Sequence, residues 1–448
     1  MAILVAACGE TPPASSPGVP SASSSAAPSG PTAADVIGAP GSESEVYAPN
    51  PGALVVAIDP GHGGCLDWGV PDPRRRGAAL SEKAMVLAIG MDLRALLEAQ
   101  GVEVVMTRTT DEALAGDDYP DLGCHGPAWR DVNGDGESGF HPEDLEGKVR
   151  TRDELQARLD LANVARADVL VSIHINALTQ DGVVLEIAAS ETFYTDETAW
   201  GTSATKGLAQ LVQQEVVAAI GEVADYQRQD RGIEAHNLYM VAPPLLEPTP
   251  DRPDQRKQPT RGALMPSVLT EVGSLTLAAE HDLLASRAGQ AAAADGIYRG
   301  LVTYFGRRAQ AVRYSVPDAE ISVGSAPQPI DGDGPPFWIA DLPADTEDAG
   351  LAVVLTNSGT QEWDDGLALV AGWTATDQPY LRVPPDELAT LPVGVPALAP
   401  GESVELLLPI GAPPDRSSRQ VVWITLSGAG WSFAELGSPP LQLARRAG

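Results

Sequence analysis

The sequence predicts an α/β three-layer domain, a mainly parallel sheet flanked by helices, followed by a C-terminal all-β sandwich. Three observations predict this. Between residues 51 and 310, short apolar runs alternate with stretches of helical periodicity, the pattern of a sheet covered by helices. The strand–helix–strand passages need crossovers, so parallel pairing is expected. From Phe337 onward, "AVVLTNSGTQEW", "SVELLLPI" and "QVVWITLSG" alternate or run apolar between turn signals at sandwich-like spacing.

The elements follow in order. Residues 1–50 are rich in Ser, Ala, Pro and Gly and nearly devoid of large apolar side chains, so they cannot bury a core and read as a flexible tether. In the α/β region, 51–310, strands are expected at Leu54–Ile58, Val102–Met106, Val169–Ile175, Leu238–Val241 and Ser267–Val272. Helices are expected at Ser81–Gln100, Arg152–Arg166, Thr202–Ile220 and Leu277–Phe305. Residues 110–150 form a Gly/Asp/Pro-rich insertion, and a second irregular stretch runs from Pro243 to Gly262; loops of this length are usually binding edges or lids. Residues 311–336 read as a linker and 337–448 as the β-sandwich.

Composition narrows the function. The 448 residues suffice for two or three domains, and 43% hydrophobic content allows a sizeable core. A formal charge of −32 excludes nucleic acid as a partner, since its binders carry a basic footprint. No apolar run reaches the roughly 18 residues that would span a bilayer. The three cysteines are Cys8, Cys65 and Cys124. "LVAACGE" resembles a bacterial lipobox, which implies cleavage before Cys8 and lipidation of its thiol; only seven residues precede it, without a positive segment. The expected location is the cell envelope after export, lipid-anchored to the outer face of the cytoplasmic membrane or else secreted. In that oxidising setting Cys65 and Cys124, both in Gly-rich loops, can pair as a disulfide; two free thiols are the alternative.

The chemistry concentrates in a few positions. "VVAIDPGHGG" ends an apolar strand on a turn that carries His62 among glycines. In "LSEKAMVLAIGMDLRALLEAQG", Met85, Ile89, Leu93 and Leu96 follow Glu82 at helical spacing, which points Glu82 inward. A buried carboxylate is costly unless paired, and a metal ion would resolve the cost; a solvated glutamate favoured by the helix macrodipole is the other reading. In "ADVLVSIHINA", alternation sets Val169, Val171 and Ile173 on one face and Leu170, Ser172 and His174 on the other. His174 falls near the strand's end, where ligands gather in α/β sheets. Glu271, in "PSVLTEVGSL", ends the last strand. Two histidines and a carboxylate are the ligand set of an open catalytic zinc site, and a second carboxylate nearby is what hydrolysis requires.

"IDPGHGG", "SEKAMVLAI", "TRTTDE", "RLDLANVARADVLVSIHINA", "RGIEAHNLYMV" and "VLTEVGSLTLAAEHDLL" occur in the order of the zinc-dependent N-acetylmuramoyl-L-alanine amidase catalytic domain, type 3, which the chain resembles from about Val55 to Phe305. The resemblance implies zinc ligands at His62, Glu82 and His174 and a catalytic glutamate at Glu271. It implies peptidoglycan as substrate, cleaved at the amide between the lactyl group and L-alanine, with Glu271 shuttling the proton. Asn176 is a further site-lining candidate. The 110–150 insertion and the extended "LTQDGVVLEIAASETFYT" depart from the family pattern and put substrate preference and regulation by a protein activator in question. Two rivals stand beside this reading: a zinc peptidase or carboxypeptidase on wall peptides, and an inactive wall-binding lipoprotein.

Two further readings concern the flanks. "DVNGDGESGFHPED" places Asp131, Asn133, Asp135 and Gly136 like the opening of a calcium loop, with Glu137 and Glu143 as further oxygen donors. Its twelfth position is Pro142 instead of a carboxylate, and an empty acidic loop is the alternative. The C-terminal segment resembles an Ig-like, NBR1-type four-tryptophan domain, with Trp363, Trp423 and Trp431 at the resembling positions; these rings read first as core.

Overall fold

The computed structural model describes residues 54–64, 67–115, 132, 148–196, 202–242, 262–317, 342, 350–374, 392–413 and 420–445. The tether, Cys8, Cys65, Cys124 and the calcium-loop residues Asp131, Asn133, Asp135, Glu137 and Glu143 lie outside the described residues.

The α/β region is built on strands β1 (Val55–Pro60), β2 (Glu103–Met106), β3 (Val169–Asn176), β6 (Ala188–Tyr194), β7 (Arg228–Ala235) and β8 (Ser267–Ser274), ordered β2-β1-β3-β8-β6-β7. Pairing is parallel throughout except between β6 and β8. The short strands β4 (Thr179–Gln180) and β5 (Val183–Val184) form a separate hairpin. One face of the sheet, with Val56, Ile58, Val169, Val171 and Ile173, packs on helices α1 (Glu82–Glu98), α3 (Thr202–Val223) and α5 (Arg287–Arg307). The other face, with Val55, Ala57 and Leu170, packs on α2 (Lys148–Val164) and on Met240, Ala263 and Met265. The period-two alternation of β3 thus distributes its side chains between two apolar layers, as the sequence predicts.

Four expectations need correction. Leu238–Val241 is a turn, closed by bonds from Val241 N and Ala242 N to the Leu238 carbonyl, and the strand lies earlier, at β7. The apolar run there is buried because it covers the sheet, not because it extends it. β6 was not expected; "AASETFY" buries polar side chains against β8, so hydropathy does not reveal it. The long helix at 277–305 is two helices, α4 (Ala278–Leu284) and α5, separated at Ser286, whose hydroxyl accepts a bond from Gly289 N at 3.1 Å and caps α5. Finally, part of the expected linker is strand β9 (Val312–Ser315), hydrogen-bonded antiparallel to β10 (Leu351–Asn357).

β9 opens the C-terminal β region. β10 lies between β9 and β13 (Ser403–Leu408), and a second sheet joins β11 (Ala368–Thr374), β12 (Val393–Gly394), β14 (Gln420–Gly428), β15 (Trp431–Ser432) and β16 (Leu441–Arg445). A single core unites the two sheets, including Val353, Leu355, Leu369, Ile424 and Leu441. Trp363 and Trp423 are buried, and Trp363 meets Phe433 edge to face at 5.5 Å.

The two regions touch at the N-terminal ends of the parallel strands. Buried Arg308, after α5, pairs with Asp168, which precedes β3, and donates to Ser438 Oγ at 3.0 Å. Arg313 reaches Glu103 at the start of β2, and Leu436 enters the α/β core. The β region therefore docks on the end of the sheet opposite the carboxyl ends of β1 and β3.

Candidate metal centre

The chain leaves β1 at Pro60 and turns back over β3, with Gly61 N bonded to the Ile173 carbonyl at 3.0 Å. A Cβ at Gly61 would lie 2.3 Å from the His174 ring, so only glycine lets the turn pass this close. His62 then takes a left-handed backbone conformation, φ 61°. That conformation is unfavourable for a residue with a Cβ and persists only when its surroundings enforce it. Here the enforcement is a pair of buried arginines. Arg158, from α2, donates to the carbonyls of Pro60 and His62 at 2.9 and 2.6 Å. Arg108 donates to Pro60 and Gly61 at 2.9 Å each and to Lys83 at 2.7 Å.

The resulting side-chain arrangement is compact. His62 Nε2 lies 3.1 Å from His174 Nδ1 and 3.1 Å from Glu82 Oε1, and His174 Nδ1 lies 3.2 Å from the same oxygen. Among the described residues, His62, Glu82 and His174 form a group able to hold a metal ion. The spacing fits that use: four donors about 2.0–2.1 Å from a tetrahedral zinc stand roughly 3.3 Å apart. The donor chemistry fits as well, since two imidazole nitrogens and a carboxylate oxygen converge on one point. Glu82 is held there by backbone donors from two segments, Ile175 N to Oε1 at 2.9 Å and Val70 N to Oε2 at 2.8 Å. Gly69, φ 60°, leaves room for it; a Cβ there would lie 2.4 Å from Glu82 Oε2. The inward direction expected for Glu82 is observed, and the carboxylate is buried.

Asp67, which sequence reasoning missed, accepts from His62 Nδ1 at 2.7 Å. In that tautomer the Nε2 lone pair faces the convergence point, the usual task of a carboxylate behind a ligating histidine. The only sequence signal is its place five residues after His62, which no periodicity marks. Burial alone would lower the pKa of His62, but Asp67 and Glu82 outweigh it and hold the value well above the ordinary 6.5. Burial likewise opposes ionisation of Asp67, yet the His62 charge and hydrogen bond bring it down to about 2. For Glu82, burial is outweighed by His62 and His174, and the carboxylate is held well below its usual range.

Glu271 sits beside this group. It is paired in register with His174 on β3 and with Glu191 on β6. Among the described residues its buried Oε2 has no hydrogen-bond partner. Burial first, then the Glu82 and Glu191 charges, push its pKa well above 4.5. Asn176 reaches the strand next to Glu271: its Nδ2 donates to Glu191 Oε1 at 2.7 Å, while Arg231 Nε donates to Glu191 Oε2 at 2.7 Å. Beneath the site, buried Asp59 accepts from Arg158 at 2.9 Å, from Thr107 at 2.6 Å and from Ser172 at 2.6 Å. It braces the arginine that holds the His62 turn. The four residues singled out from sequence, His62, Glu82, His174 and Glu271, thus meet at one place.

Residues 56–303 match the model of the N-acetylmuramoyl-L-alanine amidase family. The chain is 26% identical over 253 residues to the germination-specific N-acetylmuramoyl-L-alanine amidase of Bacillus subtilis (strain 168), covering 56% of this chain and 79% of that protein. It is 25% identical over 250 residues to N-acetylmuramoyl-L-alanine amidase LytC of the same organism, covering 56% of this chain and 35% of the relative. Among solved structures it is similar to an N-acetylmuramoyl-L-alanine amidase from Clostridium difficile 630, with 26% identity, TM-score 0.36, and coverage of 56% of this chain and 97% of that one.

Proposed function

Because the chain belongs to the N-acetylmuramoyl-L-alanine amidase family, we infer that it is a peptidoglycan amidase of the cell wall whose reaction runs at the His62–Glu82–His174–Glu271 cluster. The observation that carries this is the convergence of three donor atoms at 3.1–3.2 Å with Glu271 in register beside them. His62, Glu82 and His174 would hold a zinc ion. When bound, zinc supplies Lewis-acid polarisation of the scissile carbonyl and activation of water. Glu271 takes the proton of the attacking water and returns it to the leaving amine nitrogen. Its raised pKa suits the first half of that task, because burial and the neighbouring carboxylates make Glu271 a stronger base toward the water's proton, which it then holds until the leaving nitrogen accepts it. Asp67 orients His62, and Arg108 and Arg158 keep the turn rigid.

As a wall amidase the protein works outside the cytoplasm, and the lipobox at Cys8 would anchor it to the outer face of the membrane; among the described residues no helix is long and apolar enough to cross one. The Ig-like β region serves as an accessory module. Support for that role comes from its docking at the strand ends away from the metal cluster, which leaves the site clear.

The test joins metal analysis of the purified chain with mass analysis of products from purified peptidoglycan. One zinc per chain and release of whole stem peptides with L-alanine N-termini are expected. Shorter fragments would instead identify a peptidase. Glu271→Gln should keep the zinc and lose about 10²–10⁴-fold in rate; digestion equal to that of the parent would take Glu271 out of the chemistry, and no digestion by the parent would leave a wall-binding protein without catalysis.

A further inference from the structure

The row of polar side chains that carries the reacting groups continues across the sheet beyond them. At the level of the metal cluster, His174, Glu271, Glu191 and Arg231 stand on four adjacent strands, β3, β8, β6 and β7. Arg231 lies at the register shift opposite Glu191, between the Ser190–Asp230 and Thr192–Ile233 pairs. Its Nε is fixed on Glu191, itself 7% exposed and held from the other side by Asn176. The Arg231 side chain is 40% exposed, and among the described residues its two terminal nitrogens have no partner. The other arginine of this strand differs: the Arg228 side chain is only 5% exposed and is paired with Glu280. Asp230 is likewise engaged, accepting from Gln213 and from Gly232 N. β7 therefore presents one anchored guanidinium with a free planar fork, and a planar fork matches a carboxylate bidentately.

Position and chemistry name the ligand. Adjacent strands lie about 4.8 Å apart, so a guanidinium bonded to Glu191 stands on the order of 10 Å from the His174–Glu271 pair. An extended peptide covers roughly 3.4 Å per residue, which puts the matching anion two or three residues from the bond being cut. In peptidoglycan the glycan is neutral and the carboxylates lie on the peptide. A chain of net charge −32 repels an acidic peptide, so drawing one in needs a local cation. We propose that Arg231 is the specificity-determining residue of this amidase, binding a carboxylate of the leaving peptide two to three residues beyond the scissile amide. Glu191 and Asn176 act as its positioning residues.

This inference rests on the amidase reading, and the experiment separates the two. The substrates are a soluble muramyl peptide with free carboxylates on its second and third residues and a twin with both amidated. The holoenzyme should cleave the free-acid form with about 10- to 100-fold higher kcat/KM, chiefly through KM. In Arg231→Gln that ratio should collapse to within about threefold, and Arg231→Lys should recover part of it, because lysine keeps the charge without the fork. Reading a ratio within each variant cancels any general loss transmitted through Glu191. A ratio unchanged in Arg231→Gln, or a parent that cleaves both twins equally, overturns the assignment. A parent that cleaves neither overturns the amidase reading beneath it.

Discussion

The metal-cluster end of the α/β sheet and the C-terminal β region keep their shapes by opposite means. Around the cluster, Asp59, Glu82, Arg108, Glu154 and Arg158 are all buried. In the β region the buried polar side chains among the described residues are neutral: Asn357, Ser358, Thr425, Ser432, Ser438 and Gln442. Burying a charge is costly unless it is fully paired, and replacing such a pair by apolar residues is often neutral or stabilising. Stability alone therefore does not explain the first arrangement. Its effect is positional: with four hydrogen bonds the arginines hold the three successive carbonyls of Pro60, Gly61 and His62 in one turn, and that turn sets His62. Among its described residues the β region shows no comparable cluster of buried charge and relies on apolar area and tryptophan packing. Buried charge here marks the place where geometry has to be kept within tenths of an ångström.

This contrast has measurable consequences, the largest at Gly61. Gly61→Ala drives a methyl into the His174 ring, so the variant should lose its metal and about 10³-fold or more of its activity while still folding, read by metal analysis and near-UV circular dichroism. Next come Arg158→Ala and Trp363→Ala, each expected to cost about 3–5 kcal/mol in denaturant unfolding. The two should part on metal content, lost with Arg158 and retained with Trp363; retention in both would show that the arginine frame is dispensable for the cluster. Asp67→Asn should weaken metal affinity about 10- to 100-fold in competition with a chelator, with little change in stability.

The smallest effect is a pH dependence. Burial opposes ionisation of Asp59, but Arg158 with the Ser172 and Thr107 hydroxyls outweighs it, and the folded pKa lies below 3.8. A depressed carboxylate contributes stability that is present above its unfolded pKa and lost as pH falls through the folded value. The gap in unfolding free energy between the parent and Asp59→Asn should accordingly be constant from pH 7 to about 5 and narrow below about 3.8. The gap between the parent and Trp363→Ala should not narrow, since no charge is involved.

Comparison of sequence and structure divides along the range of the forces. The α/β order, the inward face of α1 and the alternation of β3 are local patterns repeated over a few residues, so composition and periodicity reveal them. His62 and Glu82 stood out for the same reason, each being a polar group in an apolar or glycine-rich frame. β6 did not, because "AASETFY" hides its burial behind polar side chains that pair across strands. Asp67 and Arg231 carry no local oddity at all: an acidic residue in a turn and an arginine in a polar strand are ordinary until their partners are known.

By itself the sequence determined the alternating α/β order, most of its strands and helices, and which residue types could bind a cation. Tertiary structure decided which of those residues meet. It brought Arg158 to His62 from 96 residues away and His174 to His62 from 112. It also drew β9 out of an expected linker into a sheet and seated the β region at the far end from the metal cluster. The physical reason is that periodicity acts between neighbours in the chain, whereas convergence depends on crossovers and strand register, where moving a strand by one residue sends every side chain to the opposite face.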